Sequence, residues 1–224
     1  MGQGLEKPIE RERIILLGSY AGGKTSILHW LMHGEFKEQL ELGPWVDQDE
    51  EVTYKGMSVF HPGVDAGGRS LTRPFLPQYF RSALAMVYVI DASRDGLDMD
   101  YTQYELSEAR KEPTLNDAVI VAIANKLDIP GAKTMEEIEE LINAGEERKI
   151  KIFPAAACKG EGVNECFDWL IDEITKQHLT KPVTEPWADV AKDVTKDGKA
   201  GLNKAKGTWK KLVARFCRPS SRTN

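Results

Sequence analysis

The apolar run Ile14-Ile15-Leu16-Leu17 leads directly into Gly18-Ser-Tyr-Ala-Gly-Gly23-Lys24-Thr25, the spacing of a Walker A phosphate loop between a strand and a helix. The motif predicts an α/β fold in which a first strand turns into a helix over 24–33. Glycines at 18 and 23 let the backbone curl so that several N–H groups face phosphate oxygens, and the helix adds its positive N-terminal end. Lys24 is expected to reach the β- and γ-phosphates and the Thr25 hydroxyl to hold Mg²⁺. Tyr20, Ala21, Gly22 and Ser26 complete the expected phosphate contacts. The plain alternative is a glycine-rich turn with no ligand.

A second motif names the base. Asn125-Lys126-Leu127-Asp128 follows Ala118-Val-Ile-Val-Ala-Ile123, an apolar run that reads as a buried strand. The Asp128 carboxylate can accept both N1–H and the 2-amino group of guanine, a donor pair adenine lacks. A wrong base leaves buried polar groups unpaired, at about 1 to 3 kcal/mol per missing bond. The stem of Lys126 can lie on the base, and Asn125 can tie this loop to the phosphate loop.

Between the two motifs lies Asp65-Ala66-Gly67-Gly68. Its carboxylate suits a water-mediated Mg²⁺ contact, and the Gly68 amide suits the γ-phosphate, although any flexible turn also uses paired glycines. Ala156-Ala157-Cys158 follows the strand-like Ile150-Lys-Ile-Phe153. The Ala157 N–H is a candidate donor to the guanine carbonyl, with Cys158 beside it.

In order and spacing these four pieces resemble a small GTPase, and the Arf/Sar family in particular. The resemblance spans about residues 12–175 and includes Tyr54-Lys55, Arg73-Pro74, Gln78-Tyr79-Phe80, Val87-Tyr-Val-Ile-Asp-Ala-Ser93, Ala124-Asn-Lys-Leu-Asp-Ile-Pro130 and Gly160-Glu-Gly-Val163. It implies a six-stranded, mostly parallel sheet with helices on both faces and nucleotide at the C-terminal strand ends. GTP or GDP with Mg²⁺ are the implied cofactors. Effectors and regulators that read the switch segments are the implied partners.

The chain departs from the family where hydrolysis is performed. Members that hydrolyse GTP carry Gln after the Asp-x-Gly-Gly segment to orient the attacking water, and here the residue is Arg69. Arg has only donors, so intrinsic hydrolysis is expected to be slow, with Arg69 acting as an arginine donor in cis as a further catalytic reading. The family's metal-binding Thr of the first switch falls within 38–46, which holds neither Ser nor Thr, leaving Glu41 or Asp47 to approach the metal. Tyr20 stands where Arf proteins have Asp, and its ring can crowd the γ-phosphate or an incoming arginine finger. Pro62-Gly63, inside or just after a strand, suggests an edge bulge.

The alternation of elements supports the same class: strands over 13–17, 85–91, 118–123 and 150–153, two antiparallel strands near 51–61, and helices over 24–33, 101–111, 135–142 and 163–178. Residues 1–11 read as an N-terminal extension, 12–178 as the GTPase domain, and 179–224 as a linker and basic extension. With 224 residues and 41% hydrophobic content, one core plus tails is expected. Cys158, Cys166 and Cys217 make no disulfide framework, which suits a reducing compartment. No cluster is evident among His29, His33, His61 and His178. No apolar run is long enough to span a bilayer, no secretion signal is evident, and the cytosol is the expected location.

From Lys196 onward nine Lys and Arg face one acidic residue, Asp197, although the whole chain carries −5. Leu202, Ala205, Trp209, Leu212, Val213 and Phe216 recur at helical spacing among those cations. A basic amphipathic helix suits an anionic membrane surface. An unstructured protein-binding arm and docking on the GTPase domain stay open. Gly2 and Cys217 are candidate lipidation sites, although Glu6 replaces the favoured Ser or Thr. The resemblance implies a GTP/GDP switch in membrane traffic or signalling, against a pseudo-GTPase scaffold with permanent nucleotide. Nucleic acid is not an expected partner, and a monomer is the default.

Overall fold

The computed structural model of the chain describes residues 13–36, 49–62, 79–80 and 83–180, with side chains through 177. Asp65, Gly68, Arg69, residues 37–48 with Glu41 and Asp47, and residues 1–12 and 181–224 with Gly2 and Cys217 lie outside the described residues.

Six strands form one sheet: β1 (Arg13–Gly18), β2 (Glu50–Tyr54), β3 (Met57–His61), β4 (Ala83–Asp91), β5 (Val119–Asn125) and β6 (Lys151–Pro154). Their order is β2-β3-β1-β4-β5-β6, with β2 and β3 antiparallel and every other pairing parallel. Four helices accompany them: α1 (Lys24–His33), α2 (Leu97–Lys111), α3 (Met135–Asn143) and α4 (Val163–Thr180).

Apolar residues run almost without interruption through the central strands because both faces are covered. Successive side chains alternate sides. Ile15, Leu17, Met86, Tyr88 and Ile90 therefore join Met99 and Leu106 of α2 and Ile138 and Ile142 of α3 in one core. Ile14, Leu16, Val87, Val89, Val121 and Ile123 join Ile27 and Leu31 of α1 and Phe167 and Leu170 of α4 in the other. The expected architecture, helices on both faces of a mostly parallel sheet, is the one observed.

Two local expectations change. The helix expected from residue 101 begins a turn earlier at Leu97, its buried stripe of Met99, Thr102, Leu106 and Ala109 starting ahead of the expected first residue. The edge bulge expected at Pro62-Gly63 is absent from β3, which is an interior strand between β2 and β1. Its ladder with β2 runs unbroken from Glu50 opposite His61 to Tyr54 opposite Met57. Pro62 stands one residue past the strand, where its missing N–H costs no ladder bond. The buried His61 ring anchors that strand end: Nδ1 lies 2.9 Å from the Leu16 carbonyl, which only accepts, so Nδ1 carries the proton.

At the hairpin tip Lys55 and Gly56 both have positive φ, 46° and 87°, as a two-residue hairpin turn requires. The tip rests on α4: Tyr54 Oη donates to Asp168 Oδ1 at 2.9 Å and Lys55 Nζ to the same oxygen at 2.6 Å.

Candidate nucleotide site

β1, β4 and β5 run parallel and end side by side, with Gly18 opposite Val89 and Asp91 opposite Asn125. Their carboxyl ends carry the loops singled out in the sequence, as expected for ligand sites of open α/β sheets.

The phosphate loop is anchored at its start by Ser19 N–H, which donates to the Val89 carbonyl at 2.9 Å, and is tightened by Gly22 N–H to the Ser19 carbonyl at 3.0 Å. Ser19 and Thr102 hydroxyls lie 3.2 Å apart, linking the loop to α2. Lys24, buried at the first position of α1, turns back across the loop and donates from Nζ to the Gly18 and Ser19 carbonyls at 3.0 and 2.9 Å. Helix α1 has no side-chain cap and no acidic residue in its first turn, its N-cap being Gly23. Its leading N–H groups and dipole are thus left for an anion. The contrast is α3, where Thr134 and Glu137 close a reciprocal capping box. Thr25 and Ser26 stand half-buried in the first turn of α1, Ala21 adopts φ 53°, and Tyr20 is 64% exposed.

Gly23 is required twice. Its φ is +99°, and a Cβ there would stand 2.4 Å from Nδ2 of Asn125. That close approach lets one side chain join both loops: Asn125 Nδ2 donates to the Gly22 carbonyl at 2.8 Å, while its Oδ1 accepts from Ala157 N–H at 2.9 Å. Asn125 is itself buried. The expected tie between the phosphate loop and the Asn-Lys-x-Asp loop is therefore present. Ala157 N–H, the candidate donor to a guanine carbonyl, is directed at Asn125 in this structure, so a base contact would share that hydrogen.

Lys126 follows with φ 68°, unusual for a residue with a side chain. Its Nζ lies 2.6 Å from Oδ2 of Asp91, whose side chain is fully buried. Asp91 Oδ1 accepts from the Ser93 hydroxyl at 2.6 Å and the Ser93 amide at 3.1 Å. Burial pushes the Asp91 carboxyl up, but the Lys126 ammonium and the Ser93 donors outweigh it and leave the group below its ordinary value. Motif reading alone did not assign Asp91 a role. The available signal was a carboxylate closing the apolar run Val87-Tyr-Val-Ile90.

Asp128, exposed at the rim, accepts from the Cys158 thiol at 3.2 Å. Burial, and then the Asp128 carboxylate, raise the Cys158 thiol above its ordinary value, so it stays protonated and can donate. Behind Cys158, Gly160 lies against Trp30 of α1, and a Cβ at Gly160 would stand 2.0 Å from the indole.

Among the described residues no group of three His, Cys, Asp or Glu could hold a metal by itself. The Thr25 hydroxyl is a single oxygen ligand at the uncapped helix start, a donor type suited to Mg²⁺ bound together with phosphate. An uncapped helix, a glycine cradle and an outward carboxylate at the far end form an arrangement that can receive a phosphate chain at one end and a hydrogen-bond-donating base at the other.

Known proteins match this fold and this sequence. The solved structure of the Arl6 BBS3 small GTPase from Trypanosoma brucei, which holds the nucleotide analogue GppNp, superposes with a TM-score of 0.61, covering 75% of this chain and 99% of that one at 22% identity. ADP-ribosylation factor-like protein 1 of Saccharomyces cerevisiae is 35% identical over 170 residues, 75% of this chain and 90% of that protein. Its Drosophila melanogaster namesake is 35% identical over 164 residues, covering 70% and 86%. The ADP-ribosylation factor family pattern matches residues 3–174, and the chain belongs to that family of small GTPases.

Proposed function

We propose that the chain binds GTP and GDP with Mg²⁺ through Gly18, Tyr20 to Ser26, Asn125, Lys126, Asp128, Ala157 and Cys158, with Asp65 and Gly68 completing the metal and γ-phosphate contacts, and acts as a switch with slow intrinsic hydrolysis. The observation that carries this reading is the pair of hydrogen bonds of the Asn125 side chain, one donated to the Gly22 carbonyl and one accepted from Ala157 N–H, which holds the base end against the phosphate end. GTP bound with Mg²⁺ supplies the polarised γ-phosphate. Lys24 and the α1 N-terminus would balance its charge, Thr25 and Asp65 would hold the metal, and Asp128 would read the base. Arg69, which lacks an acceptor for the water proton, is the reason for slow turnover.

A second reading rests on two sequence facts, Arg69 and the absence of Ser and Thr from 38–46: nucleotide is a permanent ligand and the GTPase domain, 12–178, is a scaffold. Nucleotide content of the purified full chain, then exchange and single-turnover hydrolysis with Mg²⁺, separates them. Exchange with GDP production supports the switch, and retained GTP without turnover supports the scaffold. Arg69→Gln is expected to raise the single-turnover rate. An unchanged rate removes Arg69 from the account, and a lower one makes it a donor in cis.

Action in membrane traffic or signalling, in the cytosol and peripherally on membranes, is part of the same proposal, supported by the family resemblance and by the basic segment beginning at Lys196. No described helix is long and apolar enough to cross a membrane. Flotation of the full chain with anionic liposomes, lost on deleting 196–224, is the expected result. No flotation of the intact chain would remove the membrane from the proposal.

A further inference from the structure

We infer that Asp91 is a positioning residue for nucleotide binding: from the end of β4 it holds the Lys126 ammonium, drawing the lysine stem into the extended form on which a purine ring lies. The inference rests on the base-site reading above and concerns a residue outside the four motifs that carry it.

The geometry begins with the register. Asp91 is directly opposite Asn125 across β4 and β5, and Ala92 N–H donates to the Asn125 carbonyl at 2.9 Å. The carboxylate therefore sits beside the residue preceding Lys126 at the place where β5 ends. Lys126 leaves that strand with φ 68°, a turn of the backbone that swings its side chain back toward β4. The Nζ–Oδ2 distance of 2.6 Å shows where the swing ends. The lysine side chain is 27% exposed and the carboxylate 0%. One end of the lysine is thus fastened in the protein while the stem stays partly open.

Three further contacts indicate a fixed anchor. Ser93 occupies Asp91 Oδ1 through its hydroxyl at 2.6 Å and its amide at 3.1 Å, leaving Oδ2 turned to Lys126. Arg94 is the other cation facing the group, with Nε at 3.6 Å from Oδ2, but its side chain is 52% exposed and the contact is longer. Lys133 pairs with Asp95 at 2.9 Å instead. Of the two cations, Lys126 accordingly has the shorter contact to a carboxylate with no exposed surface.

A lysine stem has four rotatable bonds, and a free one must be ordered each time a base settles on it. Fastening its far end to a rigid strand terminus does that ordering before the ligand arrives. The ammonium is also neutralised within the protein, so its contribution to nucleotide passes through Asp91. A lysine that contacted nucleotide directly with its charge would behave differently on substitution.

The test is a double-mutant cycle on the full chain, reading dissociation of a fluorescent GDP with Mg²⁺ present and the thermal midpoint of each protein. The variants are Asp91→Asn, Lys126→Met, which keeps the stem and removes the ammonium, and the pair together. Asp91→Asn is expected to speed release about tenfold. Lys126→Met should match it, and the double variant should be no faster than either single. A structural role for Asp91 independent of Lys126 instead predicts a midpoint lowered equally in the wild-type and Lys126→Met backgrounds and release rates that multiply. That result, or wild-type release in Asp91→Asn, overturns the proposal. If Asp91→Asn does not fold, Ser93→Ala takes its place in the cycle, with a smaller acceleration that must vanish in the Lys126→Met background. A wild-type chain that holds no guanine nucleotide at all overturns the base-site reading itself, and the inference with it.

Discussion

The two ends of the candidate site are made of different material. At the phosphate end the contacts are nearly all backbone: glycines, carbonyls that receive Lys24, and an α1 start left uncapped. At the base end each important side chain is held by another group, Asn125 by Gly22 and Ala157, Lys126 by Asp91, and Asp128 by Cys158. A phosphate is a symmetric anion that any converging N–H groups can satisfy. A base must be told from other flat rings, and that requires acceptors fixed in direction. Backbone serves for charge, and supported side chains serve for identity.

Where the two ends meet, at Gly23, the comparison can be broken outright. Gly23→Ala forces a strained positive φ and pushes Asn125 away. The expected cost is about 2–4 kcal/mol of stability, with nucleotide retention lost, read by thermal unfolding and by chromatography of bound nucleotide. Asp128→Asn acts at the base end alone. An amide presents a donor where guanine also has donors, so guanine affinity should fall by roughly 2–4 kcal/mol for the pair of bonds. Xanthine, with a carbonyl at that position, should gain. Competition between GDP and XDP decides it, and equal losses for both would mean Asp128 does not read the base.

A smaller effect sharpens the view that base-end side chains are supported from behind. Asp91 titrates below its ordinary value when folded. Its contribution is therefore fully present above the unfolded pKa of about 3.9 and lost as pH falls through the lower folded value. The stability difference between wild type and Asp91→Asn should be about 1–2 kcal/mol at pH 7 and close below pH 4, followed by urea unfolding. A gap that persists unchanged at pH 2 contradicts the ion pair as its source. Smallest is Cys158→Ala, expected to quicken nucleotide release only a few-fold, since a thiol at an exposed rim contributes about 0.5–1 kcal/mol. Cys158→Ser, which keeps a donor, should restore the wild-type rate.

The same contrast explains what was legible in the sequence. The phosphate loop was readable because glycine and lysine at fixed offsets within eight residues encode a local shape. The sheet was readable because apolar runs of strand length alternate with helical ones, and the pairing of β2 with β3 followed from their closeness. Asp91 and Lys126 are 35 residues apart and meet only through the β4–β5 register, which no local pattern reveals. The edge bulge expected at Pro62 has a similar source. A proline signals an edge or an end, and only the sheet order shows that β3 is interior and the proline follows its last residue.

Helix α1 touches both ends of this site, with Lys24 at its first residue under the phosphate loop and Trp30 six residues on against Gly160 of the base loop. Six residues of helix span about 9 Å, and a helix does not stretch. The helix is therefore a caliper whose jaws are set by the protein alone. On the proposed nucleotide-binding function, a nucleoside or a bare phosphate would meet one jaw, and only a molecule carrying both at the right separation would close the gauge. In such a chelate the second contact would form at high effective concentration, so the grip on a whole nucleotide would far exceed the grip on either half.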